Sequence, residues 1–394
     1  MSKETRMKRL NLLAGVFTLT LIMSSQPALS LAQDPVTLPT IETKLKLHKT
    51  IGGAIAPKSV RSSNNGLVAA FNMMYRHTIT VYDAKSGNLI KTIEDSVNLR
   101  DFGYKGLSGT HKGAPVEGAF SPDGKHLYSS NYSMYGPKLF REGTDSCGSD
   151  KGIDKSFIYR IDLDTLEIDN AIRVGAVPKI VEVTPDNKYV LVTNWCSYTL
   201  SIISVEKQKV IKNIYIGRFP RGIAVTPDSS TAYVAEMGSS NVHSIDLNTF
   251  KKSKFTVGSG PRHLVLSPDA RYLYVSLNAA GKVAKYDLTG QEKTLYVATG
   301  TYPRTMTISS DGSALFIVNY GSGTLSKVRT STMKRVQNVY ACPKPIGVSF
   351  ESVHQRTWVA CYGGLIKVYR NKLPKGLVNP TPNSSDSVSP APTN

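Results

Sequence analysis

The chain has 394 residues and carries 48 Lys and Arg side chains against 29 Asp and Glu side chains, a formal net charge of +19. This length excludes a small single-core module and allows two or three ordinary domains or one large repeat domain. The charge favours an anionic partner such as nucleic acid, an acidic polymer, anionic lipid, or a small carboxylate or phosphate. Plain solubility of a basic protein is the alternative.

The first 32 residues have the pattern of an export signal. Lys and Arg side chains form a positive head, the apolar run LNLLAGVFTLTLIM follows, and SSQPALSLAQ ends in small residues suited to cleavage after Ser30 or Ala32. The apolar run is short for a membrane span, so we expect no stable span after cleavage; an uncleaved anchor is the alternative. We therefore predict a periplasmic or secreted protein with signal peptide 1–32 and a linker over 33–42.

From residue 43 to residue 371 the chain repeats itself. The segments VPKIVEVTPDNKYVLVTN, FPRGIAVTPDSSTAYVAE, GPRHLVLSPDARYLYVSL and YPRTMTISSDGSALFIVN share a proline, a basic residue, an alternating apolar strand, a tight turn and a second apolar strand. The prolines of this template recur at 41 or 42 residues in the later units and at longer intervals in the earlier ones. They are Pro57, Pro115, Pro178, Pro220, Pro261, Pro303 and Pro345.

Each repeat reads as four short strands separated by turns. In the unit after Pro220 these are GIAVT, TAYVAE, VHSIDL and KKSKFTVG. A period near 40 residues with four strands is typical of a propeller blade, so we predict an all-β, seven-bladed β-propeller of four-stranded antiparallel blades. The last unit has only three strands, and TKLKLHKTIGG, Thr43 to Gly53, has the pattern of the missing fourth. We expect this N-terminal strand to close the last blade and hide its edge.

The second strands of successive units carry a family resemblance. KYVLVTN, TAYVAE, RYLYVSL and ALFIVN resemble the YVTN-repeat family of bacterial β-propellers. The resemblance covers about residues 43–371 and implies the propeller scaffold. It implies no single activity, because one fold hosts many functions.

The residue after the template proline is basic in five of the seven units. Seven-fold repetition predicts a ring of these residues at one mouth of the channel: Lys58, Lys179, Arg221, Arg262 and Arg304. The second strands end near the same face with Asn131, Asn194, Glu236 and Asn319. Guanidinium groups bind carboxylate or phosphate through paired N–H groups, so we predict that these residues and His263 bind an anionic ligand. Alternatively, the arginines bond carbonyls of neighbouring blades and the Asn side chains terminate strands.

Two units are longer than the template. The extra segments are VNLRDFGYKGLSGTHKGA, ahead of the second blade's first strand, and SMYGPKLFREGTDSCGSDKGIDKS, between its second and third strands. Both should lie at the mouth with the basic ring, and loops added to a rigid scaffold are often functional. Aromatic residues in or beside them could stack on a ring-shaped ligand or serve as packing lids: Tyr104, Tyr132, Tyr135 and Phe140.

Four cysteines in an exported chain suggest two disulfides, for which three pairings exist. Cys147 lies in the second blade's insertion and Cys196 in the matching loop of the next blade, while Cys342 and Cys361 flank two strands of the last blade. We predict the pairs Cys147–Cys196 and Cys342–Cys361. No C-x-x-C spacing occurs, so a four-thiolate metal site is disfavoured, and we expect no metal and no cofactor.

Gly260 to His263 resembles the Gly-Pro-Arg-His segment of propeller lactonases. That resemblance implies hydrolysis or formation of a sugar-acid or muconate lactone, with a histidine and a glutamate in acid–base roles. His263 matches the histidine, but this blade has Leu277 and Asn278 where the family has its glutamate, and Glu236 of the preceding blade is the substitute to test.

The sequence as a whole favours a binding protein over an enzyme. We expect a monomer whose basic mouth holds an anionic or polymeric partner, such as nucleic acid, a cell-wall fragment or another envelope protein. A lactonase-like activity at the same face is the alternative. Residues 372–394 are rich in Pro, Ser and Asn, which predicts a disordered tail.

Overall fold

The computed structural model describes residues 38–73 and 76–372. The predicted signal peptide, the first part of the linker and almost all of the tail lie outside these residues. The described part forms seven antiparallel sheets arranged in a ring, each containing the four strands expected of a blade. The prediction of a seven-bladed, all-β propeller is confirmed.

Blades are numbered here from 1 to 7 in chain order. Blade 1 contains β2 (Ser59–Ser62), β3 (Leu67–Asn72), β4 (Thr78–Asp83) and β5 (Leu89–Glu94); blade 2 contains β7 (Thr110–Phe120), β8 (His126–Tyr135), β9 (Phe157–Asp162) and β10 (Glu167–Arg173), with the short β6 (Val97–Asn98) added to its inner edge; blade 3 contains β11 (Pro178–Val183), β12 (Tyr189–Asn194), β13 (Thr199–Ser204) and β14 (Lys209–Tyr215). Blade 4 contains β15 (Pro220–Val225), β16 (Thr231–Glu236), β17 (Asn241–Asp246) and β18 (Lys252–Thr256); blade 5 contains β19 (Pro261–Leu266), β20 (Tyr272–Leu277), β21 (Lys282–Asp287) and β22 (Leu295–Ala298); blade 6 contains β23 (Pro303–Ile308), β24 (Ala314–Asn319), β25 (Thr324–Arg329) and β26 (Lys334–Tyr340); blade 7 contains β27 (Pro345–Glu351), β28 (Arg356–Cys361), β29 (Leu365–Lys372) and β1 (Lys44–Ile51). Two 3-10 helices cover Thr40–Glu42 and Leu99–Phe102.

The N-terminal strand closes the ring as the sequence predicts. β1 pairs antiparallel with β29, from Lys44 opposite Lys372 to Ile51 opposite Ile366. The 3-10 turn ahead of β1 is tied to blade 6, because the buried Lys327 donates hydrogen bonds to the carbonyl oxygens of Thr40 (2.5 Å) and Thr43 (2.8 Å). Closure therefore rests on strand pairing in blade 7 and on this ammonium contact with its neighbour.

Hydrophobic cores lie between the faces of neighbouring blades. Between blades 7 and 1, for example, Val68 and Tyr82 pack with Trp358 and Ile366, all at most 2% exposed. Strand residues alternate between the two faces of a blade, and both faces are covered by neighbours. The inner strands consequently line a channel, and the blades form a rigid frame for the loops at its two ends.

Both predicted disulfides are present. Cys147 is bonded to Cys196 and Cys342 to Cys361, with no free cysteine among the described residues. The first bond ties the long insertion of blade 2 to blade 3. The second ties the loop that leads into β27 to the end of β28. Disulfides of this kind persist in oxidising compartments, consistent with a secreted or periplasmic protein.

Candidate anion-binding site

The corner that leads into each inner strand has a repeated backbone geometry. The residue before the template proline has a positive φ in blades 3 to 7, with values of 54° for Val177, 61° for Phe219 and 53° for Tyr302. Its carbonyl accepts a hydrogen bond from the residue that follows the second strand, as Val177 does from Trp195 (2.9 Å) and Tyr302 from Tyr320 (3.0 Å). These bonds bring the start of each inner strand beside the end of the second strand.

A β-bulge follows the template proline in six blades. The pairing register of the first two strands shifts there, as between Pro220 and Ile223 in blade 4 and between Pro261 and Leu264 in blade 5. A bulge adds a residue to one strand and changes the direction of the local side chains. In blade 5 the consecutive residues Arg262 and His263 both lie near the other charged groups around the channel. In a regular strand, successive side chains would point to opposite faces of the sheet.

The structure brings the five predicted basic residues together at one mouth of the channel, and we call Lys58, Lys179, Arg221, Arg262 and Arg304 the basic collar. Burial lowers the pKa of Lys58 to about 8, and the nearby Arg221, Arg304 and Arg262 guanidinium groups contribute to that shift. Lys179, Arg221 and Arg262 are only 2%, 6% and 7% exposed. The collar is thus a recessed cluster of mutually repelling charges.

Aromatic side chains surround the collar. Lys179 lies over the rings of Tyr132 (4.2 Å) and Trp195 (5.3 Å). Arg304 lies over Tyr320 (3.6 Å) and Lys58 over Tyr362 (4.8 Å). These distances are within the range of cation–π attraction, which partly compensates for the loss of hydration.

Sequence reasoning missed three of these four aromatic residues. Trp195, Tyr320 and Tyr362 each directly follow the last residue of a second strand, and Tyr132 follows Asn131, the equivalent repeat position within the longer β8. The repeat therefore contained the signal, one position beyond the strand ends that the sequence analysis selected. Of the other predicted stacking residues, Tyr104 packs edge-on against Phe157 (4.9 Å) inside blade 2, and Phe140 is 76% exposed.

Two carboxylates face the five cations of the collar. Lys179 Nζ donates to Asp145 Oδ1 at 2.7 Å, and Arg221 Nη2 lies 3.8 Å from Glu117 Oε1. Burial lowers the pKa of Lys179 to about 7 in spite of Asp145, and burial raises the pKa of Glu117 against the opposing effect of Arg221. Positive charge therefore remains in excess at this mouth.

Arg262 has no carboxylate within ion-pair distance in the described part of the chain. Its Nη1 lies 3.5 Å from the sulfur of Met237, a weak acceptor. Burial lowers the pKa of Arg262 well below its ordinary value, and the neighbouring guanidinium groups of Arg221 and Arg304 lower it further. A buried arginine is normally paired, so this side chain lacks the counter-charge that such sites usually contain.

The predicted asparagines lie inside their blades and do not line the mouth. Asn194 is fully buried; its Oδ1 accepts from Gly175 N (3.0 Å) and its Nδ2 donates to Ser201 Oγ (2.8 Å). Asn319 makes the same contact with Ser326 (2.9 Å), and Asn131 donates to the carbonyl of Phe157 (3.3 Å). Each amide joins the second strand of its blade to the third strand or to the loop before the first strand. These amides are therefore not placed to contact a ligand at the mouth.

Glu236 and His263 line different cavities. Glu236 Oε2 accepts from His243 Nε2 (3.0 Å) and borders a groove of about 400 Å³ with Arg218 and Lys252. His263 borders a channel cavity of about 500 Å³ that is lined by all seven inner strands. The two residues are therefore not placed as one acid–base pair.

The surroundings of His263 keep its imidazole neutral. Burial lowers the pKa of His263 to about 3, and the nearby Arg61, Arg221 and Arg262 reinforce the shift. Its Nδ1 has no hydrogen-bond partner among residues 38–73 and 76–372. Arg61 Nη2 donates to Glu182 Oε2 (2.5 Å) between blades 1 and 3, beside the same cavity.

Comparison with known proteins adds two local family matches. Residues 149–228 match the family described as YNCE-like beta-propeller, and residues 223–298 match the family described as Lactonase, 7-bladed beta-propeller. Both matches are with β-propeller families, in agreement with the seven-bladed fold of the described residues. The Gly260 to His263 segment falls within the second match, which agrees with its resemblance to propeller lactonases. No curated protein matches this propeller in sequence.

A solved structure shows the same fold. The propeller is similar to a chain of hydrazine synthase from Kuenenia stuttgartiensis, with a TM-score of 0.64 and 17% sequence identity. The alignment covers 82% of this chain and 98% of that one. At this identity the likeness concerns the fold alone.

The propeller brings three potential metal ligands together in one place within the described ranges. His126, Asp162 and Asp169 offer atoms within 4.8 Å of one another. Arg160 already holds Asp169 with two hydrogen bonds (2.8 and 2.9 Å), and Asp162 accepts from Thr165. These side chains are used by the protein's own contacts, so we assign no metal there. None of the helices in the described ranges is of a length and hydrophobicity that would let it cross a membrane.

Proposed function

We propose that this propeller is an exported binding protein that holds an anionic ligand in its basic collar. The observation that carries the proposal is Arg262, a 7% exposed guanidinium that lies between Arg221 and Arg304 and has no carboxylate at ion-pair distance among the described residues. Guanidinium groups bind carboxylate and phosphate through paired N–H groups. An anion bound there would supply the missing counter-charge.

Folding alone gives little reason to keep this arrangement. Replacing a buried charge with an apolar residue of similar volume is often neutral or stabilising. Burial lowers the pKa of all three guanidinium groups, and Arg221 lowers the pKa of Arg262 and Arg304 further. The three groups together therefore oppose stability unless an anion accompanies them. The aromatic walls formed by Trp195 and Tyr320 are compatible with holding such a ligand by its apolar portion.

A binding assay with matched variants tests the proposal. The mature protein is titrated with small carboxylates and phosphates at low salt, and affinity is measured by calorimetry and by the shift in melting temperature. Arg262→Met should lower the affinity at least about tenfold, the loss expected for one charge-assisted contact of 1.5–3 kcal/mol. Arg329→Met is the matched control, because Arg329 pairs with Glu42 (2.7 Å), near the N-terminal 3-10 helix. If no anion binds, or if Arg262→Met binds as the wild type does, the proposal is wrong.

Export is the second part of the proposal. It is supported by the N-terminal signal pattern and by the two disulfides. Cell fractionation and mass spectrometry of the purified protein test it. Recovery of a cytoplasmic protein that retains residues 1–32 would contradict it.

A lactonase-like activity is the alternative, favoured by the family match over residues 223–298. Its acid–base residues would be His263 and, if the groove and the channel communicate during turnover, Glu236. Release of acid from sugar-acid lactones is the assay, with His263→Gln and Glu236→Gln as variants. If the wild type hydrolyses a lactone and each substitution abolishes that hydrolysis, the result would favour an enzyme over a binding protein.

A further inference from the structure

The insertion of blade 2 places one carboxylate inside the rim of the basic collar. Asp145 Oδ1 accepts from Lys179 Nζ at 2.7 Å and from the hydroxyl of Tyr132 at 3.4 Å. The pKa of Asp145 is lowered, because Lys179, followed by Arg221 and Lys58, outweighs the effect of desolvation. Asp145 is thus an ionised carboxylate within the proposed anion-binding site.

Several contacts fix the segment that carries Asp145. Its carbonyl accepts from Trp195 Nε1 at 3.0 Å. Two residues later Cys147 is bonded to Cys196, and the carbonyl of Cys147 accepts from the hydroxyl of Tyr198 at 3.1 Å. An insertion held at this many points keeps its carboxylate on Lys179, although the side chain is largely exposed.

Asp145 divides the collar into two unequal halves. The half around Lys179 has the Asp145 carboxylate at hydrogen-bond distance, whereas Arg262 and Arg304 have no carboxylate within ion-pair distance in the described ranges and interact with Asp145 only at longer range. The Asp145 side chain is 71% exposed, so a second negative charge at the mouth would meet its carboxylate with little protein between them. Like charges in this position repel.

The depth of the collar adds a steric restriction. Arg221 and Arg262 are 6% and 7% exposed, and they belong to rigid inner strands. A duplex nucleic acid presents its phosphates on a broad convex surface and cannot bring them to recessed guanidinium groups. A single oxyanion group at the end of a small molecule can reach them.

We infer that Asp145 is a specificity-determining residue, which fills the Lys179 half of the collar and restricts the site to compact ligands with one oxyanion group. The inference rests on the proposed anion-binding function. The oxyanion, a carboxylate or a phosphate monoester group, binds between Arg262 and Arg304. Polyanions and small ligands with a second anionic group are disfavoured by the Asp145 carboxylate.

Paired probes of similar size test this selectivity. Benzoate is compared with phthalate, methyl phosphate with pyrophosphate, and a 15-base-pair DNA duplex serves as the polyanion. The wild type should bind the single-oxyanion member of each pair more tightly and should show no salt-steep affinity for the DNA. The first pair tests carboxylates and the second tests phosphates, so the assay separates the two sources of the same chemistry.

Asp145→Asn is the informative variant. It frees Lys179 for a second anionic group, so the affinity for phthalate or pyrophosphate should rise about tenfold more than that for benzoate or methyl phosphate, the order expected for one charge interaction in a partly screened site. Asp150→Asn is the matched control: it makes the same change of charge in the same insertion, where Asp150 accepts from Ser197 (2.9 Å). An unchanged melting temperature and intact disulfides establish that both variants fold.

The outcomes separate the two proposals. Loss of binding of the single-oxyanion probes in Arg262→Met, together with a gain of phthalate or pyrophosphate binding in Asp145→Asn only, supports both. If Arg262→Met abolishes binding but Asp145→Asn leaves the preference unchanged, or if Asp150→Asn changes it equally, the role of Asp145 is overturned and the collar function stands. If Arg262→Met has no effect on any probe, the collar function itself fails. Tight binding of the DNA by the wild type overturns the restriction to compact ligands.

Discussion

Glu236 and His243 occupy the positions at which blades 3 and 6 carry an asparagine and a serine. The Glu236 carboxylate accepts from His243 Nε2 at 3.0 Å, while Asn194 donates to Ser201 at 2.8 Å in blade 3. In each blade the contact joins the end of the second strand to the third strand. Blade 4 therefore contains an ionisable version of a brace that is neutral elsewhere.

This ionisable brace should make stability depend on pH. Burial lowers the pKa of His243 from 6.5, and the pKa of Glu236 is lowered from 4.5 because its bonds to His243 and Ser239 outweigh burial. The fold therefore prefers neutral imidazole and ionised carboxylate. The His243 contribution is complete above pH 6.5 and declines as pH falls, and the Glu236 contribution declines below about pH 4.5. We expect the melting temperature to fall on acidification from pH 7.5 to pH 4.5.

A double variant isolates this contribution. Glu236→Asn with His243→Ser installs the brace of blades 3 and 6 and removes both titrating groups. Its melting temperature should vary less with pH over the same range than that of the wild type, measured by circular dichroism. An identical pH profile for the two proteins would contradict the assignment.

A glycine packs directly against the carboxylate of this brace. A Cβ at Gly217 would lie 2.0 Å from Glu236 Oε1, and the residue has a φ of +121°. Gly217→Ala should therefore lower the free energy of unfolding by about 1–3 kcal/mol beyond the backbone cost, the magnitude of overpacking. Gly66→Ala is the control, since Gly66 has a φ of +110° and nothing within 4 Å of the added Cβ. Urea denaturation that gives equal losses for the two variants would show that the side-chain contact is unimportant.

Arg262 should reduce stability in the absence of ligand. Arg262→Met removes a buried charge that lacks a carboxylate partner, so the free energy of unfolding without ligand should rise by roughly 1–3 kcal/mol. Arg61→Met should have the opposite sign, because it leaves Glu182 without the guanidinium that lies 2.5 Å away. Chemical denaturation in a buffer without polyvalent anions measures both. A loss of stability in Arg262→Met would indicate a structural role for this residue.

The Cys342–Cys361 disulfide takes the place of a packing contact. Cys342 stands three residues before the template proline, where blades 3 and 6 have Gly175 and Gly300, and Cys361 stands at the strand end that is an asparagine in those two blades. The bond spans 19 residues, and replacing both cysteines with serine should cost about 3 kcal/mol. Urea denaturation of this variant, with the wild type measured with and without reductant, tests the estimate. A double-serine variant as stable as the oxidised wild type would contradict it.

The repeat explains why so much of the fold was predictable. Seven copies of one template specify the strands, the turns and the number of blades. Each blade is formed by residues that are close in the sequence, and each must bury the same apolar faces against its neighbours. The three-stranded final unit and the unpaired N-terminal strand together predicted ring closure. The cysteines were paired correctly because repeat equivalence placed each of them on a loop at the same face.

The composition of the site was only partly predictable. The residues of the collar were predicted from one repeat position, the one directly after the template proline. Equivalent positions in the seven blades must form a ring around the channel, and the basic ones are Lys58, Lys179, Arg221, Arg262 and Arg304. Repetition could not distinguish a strand-end residue such as Asn194, whose amide forms hydrogen bonds inside its blade, from a residue that lines the mouth. The aromatic walls at Trp195 and Tyr320 were missed because attention fell on the last residue of each second strand, and these side chains stand one position further on.

What the sequence by itself determined is the architecture, because local alternation and a 42-residue period leave the chain few other ways to bury its strands. What only the tertiary structure decided is which charges find partners. Asp145 reaches Lys179 through a folded insertion, and Glu236 turns to His243 and away from His263. Within residues 38–73 and 76–372, Arg262 is left without a carboxylate at ion-pair distance. Pairing depends on distances between blades and on exclusion of water, and neither quantity is present in a linear sequence.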